Sequence, residues 1–76
     1  MKWTDAVRRA IKRHCRSKGS NIFIRQDLIK KELARIIADT GSTGATPEQT
    51  LSRILQELRD VGEIEFIDND GTYRKL

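Results

Sequence analysis

Residues Thr46 to Tyr73 read TPEQTLSRILQELRDVGEIEFIDNDGTY. Thr46-Pro47-Glu48-Gln49 has the form of a capping box with proline at the first helical position. The Thr46 hydroxyl would accept from the Gln49 amide, and the Gln49 side chain would reach back to the Thr46 amide. Leu51, Ile54, Leu55, Leu58 and Val61 follow at helical spacing as one apolar stripe. Gly62 stands where a left-handed residue would end the helix, so a helix is expected over about 47–61 (α3). Glu63-Ile64-Glu65-Phe66 alternates with a period of two, as a strand with one buried face does (β2). Asn69-Asp70-Gly71 is turn chemistry that tolerates positive φ, and Thr72 to Lys75 returns as a second strand (β3), with Tyr73 expected to pack the hairpin onto α3.

Upstream, a first helix (α1) is expected to open at Thr4 or Asp5. Trp3, Ala6, Val7, Ala10, Ile11 and His14 form its apolar stripe, with Trp3 packing on the core and His14 at the core edge. Arg8, Arg9, Lys12, Arg13 and Arg16 take the other side. The pattern fades at Ser17-Lys18-Gly19-Ser20. Asn21-Ile22-Phe23-Ile24 is too short for a helix and suits a small strand (β1). A second helix (α2) is expected from about Gln26, burying Ile29, Leu33, Ile36 and Ile37 with Leu28 and Ala34 at the flanks. Asp39 to Ala45 is small, polar and glycine-rich. It lacks the lysine and preceding strand of a phosphate-binding loop and reads as a helix-to-helix connector.

The chain has 76 residues and a formal net charge of +4. A domain of this size has little buried surface to spare. The charge is unevenly spread. Residues 1–18 carry seven basic side chains against one acid, Asp5, for +6, whereas both segments after residue 38 are mildly acidic. A cationic face of this kind suits a polyanion such as nucleic acid. The single cysteine, Cys15, excludes an internal disulfide framework and fits a reducing, cytoplasmic setting. No apolar run approaches a membrane span, and no secretory signal opens the chain, so no membrane partner is expected. His14-Cys15 lacks the further ligands of a metal site. No acid is paired with a nucleophile, so no enzyme activity and no cofactor are expected.

The order α1-β1-α2-α3-β2-β3 is that of a small α+β domain, a winged helix-turn-helix, occupying all of 1–76. In such a domain the outward face of α3 reads double-stranded DNA. Gln49, Arg53, Gln56 and Asp60 point away from the apolar stripe, with Thr50 and Ser52 at the sides, and Thr46 is counted with Gln49, Thr50, Arg53 and Gln56 as a DNA-reading residue. Gln and Arg are the side chains that pair two hydrogen bonds to adenine and guanine edges. Asn69, Arg74 and Lys75 are the favourable groups of the hairpin, or wing. Arg8, Arg9, Lys12 and Arg13 would supply phosphate contacts. The hairpin also carries Glu63, Glu65, Asp68 and Asp70, which repel phosphate. A protein partner is therefore the alternative to DNA, since a fold does not fix a function.

The same residues carry a resemblance. Thr46-Pro47-Glu48-Gln49-Thr50, Ile54 to Asp60 with Gly62, Ile64 to Asp68 and Gly71 to Arg74 resemble the C-terminal winged-helix domain of Dam-replacing-type type II restriction endonucleases. Phe23 with Arg25-Gln26-Asp27-Leu28 resembles the opening of that domain's second helix. The resemblance spans roughly residues 21–76 and implies sequence- or methylation-sensitive DNA reading by Gln49, Thr50, Arg53 and Gln56. These 76 residues hold no nuclease domain, so cleavage is not implied. The expectation is a small transcriptional regulator of the kind a phage or mobile element carries, or the stand-alone DNA-reading part of a restriction system.

Overall fold

A computed structural model describes residues 1–68 and 70–76. Its elements are α1 (Trp3–Lys18), β1 (Ile22–Ile24), α2 (Arg25–Thr40), α3 (Pro47–Asp60), β2 (Ile64–Phe66) and β3 (Thr72–Lys75). The fold is a small α+β domain of three helices and one antiparallel sheet, in the expected element order. The last strand lies in the middle of the sheet, giving the order β1-β3-β2. Phe23 pairs with Tyr73 on one side, and Phe66 pairs with Tyr73 on the other. Tyr73 stacks on Phe23 with ring centroids 5.5 Å apart and meets the edge of Phe66 at 5.6 Å. Each such aromatic pair contributes about 0.5–1.5 kcal/mol beyond simple burial. The aromatic partners of Tyr73 thus lie within the sheet, whereas the sequence reading sent its ring towards α3.

The helices cover the inner face of this sheet. α1 buries Ala6, Val7, Ala10, Ile11, His14 and Cys15 and lies against both α2 and α3. Trp3 packs at the margin of the core, as its place on the stripe suggested. From α3, Leu51, Ile54, Leu55 and Leu58 are buried. Val61, expected on the same stripe, is 68% exposed. The helix stops at Asp60, and Val61 has already left helical geometry, with φ −91° and ψ 3°. α2 is centred differently from expectation. Leu28 and Ile36 are buried, Ile29 and Leu33 pack at the margin, and Ala34 is exposed. Apolar side chains cover so much of this helix that periodicity alone does not choose the centre of the face; packing against α1 does.

The helix ends separate two kinds of signal. Gly62 has φ +82°, its amide donates to the Arg59 carbonyl at 3.0 Å, and the Glu63 amide donates to Leu58 at 2.9 Å. This is a Schellman stop, and the glycine was legible for that reason. The capping box at Thr46 does not form. Thr46 has φ −131° and ψ 63°, and its side chain makes no capping hydrogen bond. With ψ far from the extended value of an N-cap, the hydroxyl is not aimed at the Gln49 amide. Likewise α1 starts at Trp3 with no side-chain cap, so Thr4 and Asp5 lie inside the first turn. α2 runs through Asp39 and Thr40, which composition had assigned to the loop. The Thr40 hydroxyl donates back to the Ile36 carbonyl at 2.9 Å, extending the last turn.

These ends give opposite expectations for two substitutions. An added Cβ at Gly62 meets nothing within 4 Å, so Gly62→Val costs backbone strain alone, about 1–2 kcal/mol. Thr46→Ala removes no capping bond and should stay within about 0.5 kcal/mol of the parent. Urea melts of both variants check the pair; a loss at Thr46 as large as that at Gly62 would restore the capping box.

Among the described residues, His14 is the one buried polar residue, 2% exposed. Among the described residues its Nε2 has no hydrogen-bond partner. Burial pushes its pKa below the usual 6.5. Lys18 and Lys31 add to the shift, and Asp27 and Glu32 oppose it. The fold therefore favours the neutral imidazole over the charged one. The unfolded chain takes up the proton first, so stability present above about pH 6.5 falls as pH drops through that value, and levels off below the depressed folded pKa. Glu63, held below its usual 4.5 by Arg8, contributes only at lower pH. Urea melts from pH 8 to 5 should show this fall, and His14→Leu should flatten it.

Candidate functional site

Gln49, Arg53 and Gln56 are all exposed and recur at helical spacing, so they form one ridge on α3. Arg53 has no ion-pair partner among the described residues. Ser52 flanks the ridge. Its hydroxyl donates to the Glu48 carbonyl at 3.1 Å and accepts from Arg25 Nε at 2.8 Å. Arg25 is the first residue of α2, and its own amide donates to the Gly71 carbonyl at 2.9 Å. The start of α2, the flank of α3 and the hairpin turn therefore meet at Arg25. Among the described residues, no protein group accepts from the two terminal nitrogens of its guanidinium.

The turn is closed by its own acid. Asp68 Oδ1 accepts from the Asp70 amide at 2.9 Å and from the Thr72 amide at 3.4 Å. Gly71, with φ +82°, completes the turn. A Cβ there would sit 3.4 Å from the Arg25 Cβ, an ordinary contact, so it is the left-handed backbone that calls for glycine.

The remaining residues chosen from sequence are spread around the molecule. Thr46 is exposed; Thr50 is half-buried and its hydroxyl donates to the Thr46 carbonyl at 3.3 Å. Asn69 lies outside the described residues. Arg74 stands across the ladder from Glu65, 3.5 Å from its carboxylate. Lys75 pairs with Ile64 at the open end of the hairpin, away from the turn. On α1, Arg8 donates to Glu63 at 2.8 Å and to Asp5 at 3.2 Å, and the Glu63 carboxylate raises its pKa further. Arg13 donates to Glu32 of α2 through Nε at 2.8 Å. A phosphate would compete with carboxylates at both. Arg9 and Lys12 are exposed and have no such partner among the described residues.

Two features were not chosen from sequence. Arg25 looked like part of a helix opening, and a bond to a serine 27 residues away leaves no local signal. The ion pairs of Arg8 and Arg13 join residues 55 and 19 positions apart and are equally silent in spacing. Chemically, the surface around α3 offers planar donors and acceptors rather than a reactive centre. Among the described residues, no group of three or more His, Cys, Asp or Glu is placed to hold a metal. No helix among them is long and apolar enough to cross a membrane. Comparisons with family models, with curated proteins and with solved structures find no match to the chain.

Arg25→Ala removes the bond to Ser52 but keeps the backbone bond to Gly71. It should cost about 0.5–1.5 kcal/mol in a urea melt. Gly71→Val forces a β-branched residue to positive φ and should cost more than Arg25→Ala. The reverse order would place the weight of this junction on the side chain.

Proposed function

We propose that the chain is a winged helix-turn-helix that binds double-stranded DNA without cleaving it, as a small regulator. In this reading α3 enters the major groove and the hairpin turn is the wing. The observation that carries it is the exposed ridge of Gln49, Arg53 and Gln56, braced through Ser52 and Arg25 to the hairpin turn. Side chains of these types suit paired hydrogen bonds to base edges. The terminal nitrogens of Arg25 suit a backbone phosphate beside the same groove, and phosphate contacts fix register without reading sequence. The resemblance to the C-terminal domain of Dam-replacing-type endonucleases supports the same residues as readers. It also makes base methylation a variable of the target.

One observation favours a protein partner instead. The described hairpin residues include Glu63, Glu65, Asp68 and Asp70, and two of the basic side chains on α1 are held by carboxylates. The two readings separate on a salt titration. Duplex binding, measured by fluorescence anisotropy on methylated and unmethylated pools, should weaken with salt by about 0.9 in the log–log slope per phosphate contact. Absence of duplex binding in dilute buffer sides with the protein partner.

Variants then assign roles. Arg53→Ala should lose roughly 1–3 kcal/mol on a selected site and relax sequence choice there. Arg9→Ala should weaken all sequences alike and lower the salt slope by about 1. Arg8→Ala should change the slope less than Arg9→Ala, because Arg8 already faces Glu63 and Asp5. Equal losses for Arg53→Ala on selected and scrambled duplexes would mean that α3 reads no bases.

A further inference from the structure

A groove of about 680 Å³ lies between the outer face of α1 and the open end of the hairpin. Ile11, Leu58 and Ile64, all nearly fully buried, underlie it, and the exposed Leu76 side chain forms one apolar wall. Arg9, Lys12 and Lys75 stand on its rim. Lys12 and Lys75 also line an adjoining cleft of about 420 Å³, which contains Arg16. Its place is distinct from the α3 ridge. Its residues come from α1, the end of α3 and the open end of the hairpin, and exclude Arg25, Gln49, Arg53 and the turn.

The charges around this groove are unbalanced in one direction. Arg8 is neutralised by Asp5 and Glu63 at its edge. Arg9, Lys12, Arg16 and Lys75 have no ion-pair partner among the described residues. An anionic occupant is therefore favoured. The apolar floor and wall narrow the choice, because a nucleic-acid backbone brings phosphates but no apolar side chain to fill the space. A peptide can bring both. We propose that this groove binds an acidic peptide segment that carries an apolar anchor. The anchor packs against the exposed side chains of Leu76 and Met1, above the buried Ile11 and Ile64, and flanking carboxylates meet Arg9, Lys12 and Lys75. Complementary charge of this kind selects and orients the partner, and the desolvated anchor supplies affinity.

The test uses the intact chain and a fluorescein-labelled peptide of alternating glutamate and leucine. A glutamate–serine peptide and a lysine–leucine peptide serve as controls. Saturable binding of the glutamate–leucine peptide is expected, weaker by about tenfold or more for each control and in the variant carrying Lys12→Glu and Lys75→Glu. Arg53→Ala should leave it unchanged. Should the double variant lose its melting transition, Lys12→Glu alone, at an exposed site, must weaken binding in the same direction. The proposal is overturned if the glutamate–leucine peptide does not bind, or if the glutamate–serine peptide binds equally well. It is also overturned if duplex DNA displaces the peptide and Lys12→Glu abolishes duplex binding that Arg53→Ala retains. That result would make the groove a phosphate track. Peptide binding with no duplex binding anywhere would leave this inference standing and remove the DNA reading.

Discussion

Everything in this domain waits on the insertion of the last strand between the first two. β1 and β2 have three residues each and are not paired with one another; β3 pairs with both. Tyr73 is the centre of that insertion, stacked on Phe23 and edged by Phe66. Main-chain bonds fasten the strand at both ends. Arg25 donates to Gly71 at the turn, and Lys75 donates to Asn21 at 2.7 Å at the open end. The β1–β3 pairing joins residues about fifty positions apart, so its closure entropy must be offset by burial of the aromatic row and the helices against it. A domain this small has no second core to fall back on. The same insertion brings the hairpin turn to α2 and the open end to α1, creating both surfaces to which function is assigned.

Ion pairing then divides the positive charge of the first eighteen residues. Arg8 ties α1 to Glu63 at the start of the hairpin, and Arg13 ties α1 to Glu32 of α2. The Arg8–Glu63 pair is exposed and contributes little to stability, whereas Arg13–Glu32 is part-buried. Their larger consequence is selection. They remove two guanidinium groups from the cationic face and leave Arg9, Lys12 and Arg16 with Lys75 beside the groove. Arg25 and Arg53 belong to a different surface, next to the hairpin turn. The proposed DNA reader and the proposed peptide groove therefore draw on largely different cations, with Arg9 common to both.

Much of this architecture was legible in the chain, and the limits follow from the range of each signal. Apolar periodicity on α1 and α3, the Gly62 stop and the turn glycine Gly71 are local signals, and the helices and strands they mark form in order. The Thr46 box matched in residue type, but its hydroxyl depends on a ψ angle that the preceding loop sets. Val61 kept the apolar spacing after the helix had ended. Leu28 outranked Ile29 because the partner helix, not the period, chose the face of α2. The central position of β3 and the Arg25 junction join distant residues, and no spacing encodes them. On the candidate site, the ridge of Gln49, Arg53 and Gln56 was visible as the polar side of an amphipathic helix. The bracing that joins it to the hairpin was not.

The α3 ridge, Arg25 and the hairpin turn are proposed to form one DNA-facing surface. Its most direct test is a titration of the isotopically labelled chain with a short duplex, followed by NMR through backbone amide and arginine Nε signals. The largest changes are expected at Gln49, Ser52, Arg53, Gln56, Arg25 and Gly71, with small ones at Lys12 and Lys75. Changes concentrated on Arg9, Lys12, Arg16 and Lys75, with the α3 ridge silent, would contradict it.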